Sequence, residues 1–435
     1  MFKEINILKS SFLTLSIRFV GAFAGIALTI LVTFTLSIND AGSIFLVIAI
    51  LNICGRIASA GMGLSMLRFV SAYKSLKEFN IIYSILLSTL IFVIFCSVVI
   101  SIILISLKFY IAEFIFENAD LTIGIYIIAL ALPFFAVTNI LIGYIQGNKK
   151  PMMAVFLENI STQIIFSFSI IVFILLNKNL SLSDAYNFLL LASIFTFVVA
   201  VFYSLFMYSK HRSSNLDFSK NKEVFYTMLP FLIFIIMQMT IQYSSQILTG
   251  YYLDSKNVSL FVVIQRIAFS VAVIMIIFNQ VLAPYISSSY KNNDINKLKK
   301  ISYFCTRVSV MCSIPIIIII MLFSRDILLF FGEEYIFASS GLQILLIFQI
   351  LGVFAGNSIM ILNMTGNEKD TRNILTFSAL AGVILGIILI PSIGIIGAAI
   401  STGFAISAQN IIAAYFVYKR FNINILNSYL LTKAK

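Results

Sequence analysis

The chain has 435 residues, of which 60% are hydrophobic and only 11% are charged, and its formal net charge is +12. A typical soluble domain is about half apolar and about a quarter charged, so this chain has more apolar surface than a water-facing fold can bury. With four cysteines, none in a CxxC pair, and one histidine, the sequence also predicts no metal centre, no structural disulfide and no cofactor. The composition therefore indicates a protein whose solvent is the lipid bilayer.

Apolar segments long enough to cross a membrane follow one another along the chain. A spanning helix needs about 20 mostly apolar residues, because the hydrocarbon layer is about 30 Å thick and each residue rises about 1.5 Å. The basic N-terminus runs into the first segment without a small-residue cleavage site, so we interpret it as a span and not as a removable signal. Twelve spans are predicted, at residues 12–37, 43–67, 80–106, 122–145, 152–176, 185–208, 228–252, 258–284, 303–323, 337–362, 373–391 and 394–418.

The lysine and arginine residues of the loops predict an orientation. The chain has 29 lysines and arginines, of which four are predicted within the spans. Most of the others lie on the same side as both termini, whereas the acidic residues favour the opposite side. Cytoplasmic loops retain positive charge in membrane proteins, so both termini and the longest hydrophilic run, residues 209–223, are predicted to be cytoplasmic. The net positive charge is then a topology signal and gives no support for nucleic-acid binding. No loop is long enough to fold as a domain.

Short matches between the two halves of the chain predict an internal repeat. The pair Ser43-x-Phe45 recurs as Ser259-x-Phe261, at a separation of about half the chain. Six spans per half would give both halves the same orientation, and such parallel repeats place two bundles around a central cavity in several transporters. This arrangement predicts alternating access. The predicted domains are an N-terminal six-helix bundle at 1–210 and a C-terminal one at 224–435, joined by the cytoplasmic loop 209–223.

Five charged residues are predicted inside the spans: Arg18, Arg56, Glu158, Arg266 and Arg307. A charge near the bilayer centre costs about 2.5–3.5 kcal/mol on insertion scales. Arg18 and Arg307 lie near the predicted cytoplasmic ends, where a long side chain can reach the surface. Arg56 and Arg266 are predicted near mid-span, so we assign them a functional role. Glu158 can neutralise only one arginine, and the remaining positive charge suits an anionic group such as pyrophosphate, which a guanidinium binds well.

Three glutamines in the seventh predicted span repeat every four residues. Gln238, Gln242 and Gln246 therefore share one helical face. Amide side chains that faced lipid would be costly, so this face must contact protein or water. It either hydrogen-bonds to a neighbouring helix or lines a cavity in which the amides bind sugar hydroxyls. Both interpretations stay open, and the three glutamines are candidate substrate-binding residues.

Four segments at the ends of spans carry a family resemblance: GMGLSMLRFVSAY, YIQGNKKP, LAPYISSSYKNND and FGEEY. Together with the twelve spans and the two six-helix halves, they make the chain similar to the Wzx-type O-antigen and polysaccharide flippases. These flippases form a branch of the MOP superfamily, which also contains the MATE transporters. The resemblance implies an all-α polytopic membrane protein with two parallel six-helix bundles. It also implies a multi-pass location in the bacterial cytoplasmic (inner) membrane.

The resemblance implies a flippase and not an enzyme. The implied substrate is an undecaprenyl-pyrophosphate-linked oligosaccharide, an O-antigen or capsule repeat unit, which moves from the cytoplasmic to the outer leaflet. The related lipid II flippases use cavity arginines on helices 1, 2 and 8, the helices that hold Arg18, Arg56 and Arg266 here. These three arginines are therefore candidate substrate-binding residues, and Glu158 is a candidate coupling residue or counter-ion. The implied partners are this lipid-linked oligosaccharide, the lipid bilayer and the O-antigen polymerase machinery.

Two other functions stay open. A MATE-type drug or cation antiporter, coupled to Na⁺ or H⁺, would have the same fold but would need carboxylates in the membrane, where only Glu158 is predicted. A membrane enzyme such as an O-antigen polymerase or ligase would be expected to carry a large external loop, which the predicted topology lacks. The sign of the charge inside the membrane favours the flippase.

Overall fold

The computed structural model describes residues 2–176, 180–209 and 216–424. Within these ranges every regular element is a helix. A chain in lipid must satisfy its backbone hydrogen bonds internally, and helices do so within one segment. Six residues of the predicted linker, 210–215, lie outside the described residues.

The first half contains α1 (Phe2–Thr35), α2 (Ile38–Ala58), α3 (Met62–Leu76), α4 (Phe79–Phe109), α5 (Leu121–Gly147), α6 (Pro151–Phe156), α7 (Thr162–Leu175) and α8 (Leu182–Ser209). Two π-helical segments interrupt this series: Tyr110–Ile115 continues α4, and Leu157–Ser161 joins α6 to α7. The second half contains α9 (Asn221–Tyr252), α10 (Ser255–Lys291), α11 (Ile295–Leu322), α12 (Ser324–Leu329), α13 (Ser339–Phe354), α14 (Ser358–Met364), α15 (Glu368–Ile393) and α16 (Ile395–Phe421). A 3₁₀ turn, Glu333–Ala338, precedes α13.

Twelve helical segments in the described part of the chain are long and apolar enough to cross a membrane, which confirms the predicted number. The last two, Glu368–Ile393 and Ile395–Phe421, are separated by Gly394 alone. Gly394 has a φ of +61°, a conformation that glycine adopts readily and that ends one helix before the next begins. The other ten are Ser16–Thr35, Ile38–Ala58, Phe79–Ile115, Leu121–Gly147, Pro151–Leu175, Leu182–Ser209, Asn221–Tyr252, Ser255–Val273, Ile295–Leu322 and Glu333–Phe354.

The predicted second span was wrong in its C-terminal part. The prediction extended it over residues 43–67, but α2 ends at Ala58 and α3 begins at Met62. Gly61 has a φ of +73°, and a Cβ atom there would lie 2.7 Å from the backbone nitrogen of Leu232. Hydropathy does not show this break, because the residues around it are apolar or small. Arg56 consequently lies in the last turn of α2 and not in the middle of a longer helix.

The contacts divide the chain into two compact units. Unit 1 comprises Met1–Ile236 and Asp254–Lys256, and unit 2 comprises Met237–Leu253 and Asn257–Lys435. The division falls inside α9, because the first turns of this helix contact α3 and α4 through hydrogen bonds such as Ser65–Thr227, at 2.8 Å. The six-helix domains that the sequence suggests, with their boundary in the linker, remain a prediction.

In unit 1, α5 packs against α2, α3, α4 and α8. Small residues allow the closest of these contacts. A Cβ atom at Gly143 of α5 would lie 2.2 Å from the carbonyl oxygen of Gly63 in α3, so only glycine fits. Such small-residue contacts let helix backbones approach and gain van der Waals packing in lipid.

In unit 2, α16 packs against α13, α14 and α15. Hydroxyl groups join α16 to the C-terminal part of α9. Thr402 Oγ1 donates to Ser245 Oγ at 2.7 Å, and the hydroxyls of Ser245 and Ser401 lie 3.0 Å apart. All three residues are buried. These bonds connect the C-terminal part of α9, which belongs to unit 2, to α16.

Candidate functional site

Arg56 and Glu158 form an ion pair inside unit 1. Arg56 Nη2 donates to Glu158 Oε1 at 3.3 Å, and the two side chains are 30% and 32% exposed. The sequence predicted both residues as site candidates, and the structure brings them together across 102 positions of the chain. Because neither side chain is fully buried, a ligand with a stronger negative charge could compete with Glu158 for the guanidinium.

Glu158 lies on the π-helical segment Leu157–Ser161, which the sequence analysis missed. A π turn widens the helix locally and occurs frequently at functional sites. The span around it, Pro151–Leu175 in the structure, was predicted as an uninterrupted helix at residues 152–176. No feature of the local sequence marks the π turn, since the residues on both sides are typical of an apolar span.

α1 packs against this π segment and against α6 and α7. A Cβ atom at Gly21 would lie 3.2 Å from Cβ of Asn159, the residue after Glu158. Arg18 lies about one helical turn before Gly21. α1, the helix of Arg18, therefore packs directly against the element that carries Glu158.

Two asparagines near the ion pair were also missed. Asn52 lies one turn before Arg56 on α2, and Asn159 follows Glu158. Each donates its amide to the backbone carbonyl four residues earlier, Asn52 to Ile48 at 2.8 Å and Asn159 to Val155 at 3.2 Å. These bonds use the amide nitrogens and leave the side-chain carbonyl oxygens as acceptors. An asparagine inside an apolar span was the signal that could have found them.

The second intramembrane arginine site lies in unit 2. Arg266 sits inside the span Ser255–Val273, where its guanidinium lies close enough to Tyr243 of α9 for an electrostatic interaction. Its neighbour Gln265 donates to the backbone carbonyl of Gln242 at 3.0 Å. Among the residues that the structure describes, no carboxylate lies within salt-bridge distance of Arg266.

The three glutamines of α9 have different environments. Gln246 is buried, at 4% exposure, whereas Gln238 and Gln242 are exposed. The neighbours Ser245 and Thr249 are also buried. The end of the stripe near Gln246 therefore packs inside the protein, whereas the side chains of Gln238 and Gln242 are exposed. That the two exposed amides line a cavity stays a prediction.

The described residues contain no group of three or more histidine, cysteine, aspartate or glutamate side chains that could hold a metal ion. The four cysteines are free thiols. The candidate site residues are mainly arginine and glutamine side chains, which are suited to binding anions and hydroxyl groups. The roles of Arg18, Arg56, Glu158, Arg266 and the three glutamines in substrate binding remain predictions.

Parts of this chain are similar in sequence to known membrane proteins. The MatE family model matches residues 230–391 of this chain. The probable low-salt glycan biosynthesis flippase Agl15 of Haloferax volcanii is 28% identical over 176 residues. That match covers 39% of this chain and 36% of the relative, so it spans only about a third of the relative's length.

Two solved structures match almost the whole chain. One is the inward-facing conformation of a multidrug resistance MATE family transporter of the MOP superfamily, with a TM-score of 0.73 and 14% identity, covering 97% of this chain and 100% of that chain. The other is a MOP superfamily transporter from Pyrococcus furiosus, described as having a binding pocket of reverse polarity that suggests a different function. It has a TM-score of 0.68 and 15% identity and covers 97% of this chain and 96% of that chain.

At these identities the likeness establishes the fold. The two solved structures each cover 97% of this chain, whereas the family model covers residues 230–391 only. This chain is thus an all-helical, multi-pass membrane protein whose fold is similar to that of solved MATE family transporters.

Proposed function

We propose that this protein is a flippase that moves an undecaprenyl-pyrophosphate-linked oligosaccharide from the cytoplasmic to the outer leaflet by alternating access. The fold supports transport, and the match to a probable glycan biosynthesis flippase supports a lipid-linked glycan as substrate. No chemical step is required of the protein, because translocation makes and breaks no covalent bond.

The excess of positive charge inside the membrane is the observation that carries this proposal. Arg266 lies inside a span, and no carboxylate of the described residues lies within salt-bridge distance of it. Inserting an arginine into the membrane at the centre of a helix costs about 2.5–3.5 kcal/mol, and such a residue indicates a functional role. A diphosphate is the kind of anion whose oxygens a planar guanidinium binds with paired hydrogen bonds. A cationic drug would be repelled.

In unit 1 the proposed role of Glu158 is that of a counter-ion. Its carboxylate balances the positive charge of Arg56 while no substrate is bound, and a phosphate with more negative charge would take its place. Arg18, on the helix that packs against the Glu158 segment, adds a second cation to the same unit. The accessible amides of Gln238 and Gln242 are suited to the hydroxyl groups of the glycan, while the prenyl chain stays in lipid.

Leaflet accessibility of the lipid-linked oligosaccharide tests the proposal. A membrane-impermeant lectin applied to spheroplasts reports the outer leaflet in cells that do or do not express the protein. We expect outer-leaflet substrate to disappear without the protein while total substrate persists. The variants Arg56→Gln and Arg266→Gln should fail to restore it, although they insert into the membrane normally.

The matched control is Arg325→Gln, which removes an exposed arginine outside the twelve spans. It should restore accessibility as the unmodified protein does. Outer-leaflet labelling that is the same with and without the protein, or full activity of both span variants, would exclude the proposed flippase mechanism.

A cation-coupled drug antiporter is the second candidate function. The MatE family match and the multidrug transporter of the same fold favour it. In that case Glu158 would bind the coupling ion, and Glu158→Gln would abolish drug efflux from cells. Under the flippase proposal, cells with and without the protein are expected to be equally sensitive to cationic drugs.

A further inference from the structure

The C-terminal end of α3 is fixed to the C-terminal end of α5. Ser71 Oγ donates to the carbonyl of Gly147 at 3.4 Å, and Lys74 Nζ donates to the carbonyl of Asn148 at 2.7 Å. The last carbonyls of a helix carry partial negative charge, so an ammonium group is favourable there. The hydrogen bond to Asn148 places the charge of Lys74 directly beside the turn that follows α5.

That turn adds two more lysines. Lys149 has a φ of +61°, and Lys150 precedes Pro151 at the start of α6; both lysines are exposed. Burial lowers the pKa of Lys74, and the charges of Lys149 and Lys150 lower it further. Lys74, Lys149 and Lys150 thus form a group of like charges, which we call the α3–α5 lysine cluster.

No negative charge of the described chain compensates this cluster. Among the described residues, no carboxylate lies within salt-bridge distance of any of its three ammonium groups. Like charges held together by the fold repel one another, which costs free energy that an external anion would recover. The carbonyl oxygen of Asn148 accepts a hydrogen bond from only one of the three N–H groups of the Lys74 ammonium.

The position of the cluster along the spans puts it at a membrane surface. The span Leu121–Gly147 ends just before Asn148 and Lys149, and the span Pro151–Leu175 begins directly after Lys150. Two large apolar side chains beside the cluster are exposed, Leu76 at 62% and Met152 at 47%. Positive charge next to exposed apolar side chains at the end of a span matches a lipid headgroup above its acyl chains.

We propose that the α3–α5 lysine cluster is a binding site for the phosphate group of an anionic phospholipid in the adjacent leaflet. The phosphate accepts hydrogen bonds from the ammonium groups and relieves their mutual repulsion, while the acyl chains cover Leu76 and Met152. A soluble phosphate would gain nothing from these apolar side chains, so the lipid is the favoured source. This site is independent of what the protein transports.

Native mass spectrometry of the full-length protein tests the proposal. The protein is equilibrated in detergent micelles with equal amounts of phosphatidylglycerol and phosphatidylcholine, and the retained lipids are compared. We expect a preference for phosphatidylglycerol that falls about fivefold for each lysine removed, in Lys149→Gln, in Lys150→Gln and in their double variant. Because both side chains are exposed, these variants are expected to fold. The same fall of about fivefold is expected for Lys74→Gln, which removes the third lysine of the cluster.

Lys77→Gln is the matched control, since it removes one exposed lysine from the C-terminal cap of α3 and leaves the three lysines of the cluster in place. It should keep the full preference. A preference unchanged in the double variant overturns the proposal. In a second arm, inorganic pyrophosphate is titrated into the lipid-free protein. Cluster-dependent binding of pyrophosphate without any preference for phosphatidylglycerol would assign the site to a soluble phosphate and overturn the lipid source.

Discussion

At the scale of single residues, the Arg56–Glu158 pair combines a small expected contribution to stability with a large expected contribution to function. Both side chains are about one-third exposed, at 30% and 32%. Solvent screens such a pair, and its side chains lose rotational freedom when they are held together. The sequence identified both residues from their charge alone. It could not show that they are partners, because hydropathy and spacing contain no information on contacts between distant segments.

We expect Glu158→Gln and Arg56→Gln each to lower the free energy of unfolding by less than about 1 kcal/mol. Translocation should nevertheless be lost in Arg56→Gln. Thermal unfolding followed by fluorescence-detected size-exclusion chromatography measures the first effect, and the leaflet assay measures the second. A destabilisation of about 3 kcal/mol or more in either variant would show that the pair is a structural element shielded from water, contrary to this expectation.

At the scale of helices, the contact between α3 and α5 determines where the second span ends. α3 begins at Met62 after the left-handed Gly61 and then packs on α5 through backbone contacts at Gly63 and Gly143. A sequence window sees only a continuous apolar run from α2 into α3. The helix break and the π segment at Leu157–Ser161 both depend on neighbouring backbones, so local propensity does not predict them.

Gly143→Ala is expected to destabilise the protein by about 1–3 kcal/mol, because its Cβ atom would lie 2.2 Å from a backbone oxygen that cannot rotate away. Gly352→Ala is the matched control in α13. There the new Cβ atom would meet only Asn410 Nδ2, at 3.2 Å, a side-chain atom that needs to shift by only a few tenths of an ångström. The gain in helix propensity should make this control neutral or slightly stabilising. Equal melting temperatures for the two variants would contradict the proposed helix contact.

At the scale of the whole molecule, the orientation in the membrane remains a prediction from the distribution of lysine and arginine. The test uses single cysteines in a background in which Cys54, Cys96, Cys305 and Cys312 are replaced by alanine. An impermeant maleimide added to intact cells should label Arg325→Cys and leave Lys77→Cys unlabelled, and both should react after permeabilisation. Both replaced residues are exposed. Labelling of Lys77→Cys from outside would reverse the orientation.

The sequence by itself determined that this is an all-helical membrane protein with twelve spans, and it identified the charged residues that belong to them. The physical reason is that bilayer thickness fixes the length of an apolar segment and that a charge in lipid is too costly to occur without cause. Only the tertiary structure decided that Arg56 lies in the last turn of α2 and pairs with Glu158, and that Gln246 is buried while Gln238 is exposed. These features depend on which backbones approach each other, often across more than a hundred residues, as Arg56 and Glu158 do at a separation of 102. Which helices lie next to each other depends on contacts at glycines and on hydrogen bonds between polar side chains. A hydropathy profile does not reveal these contacts.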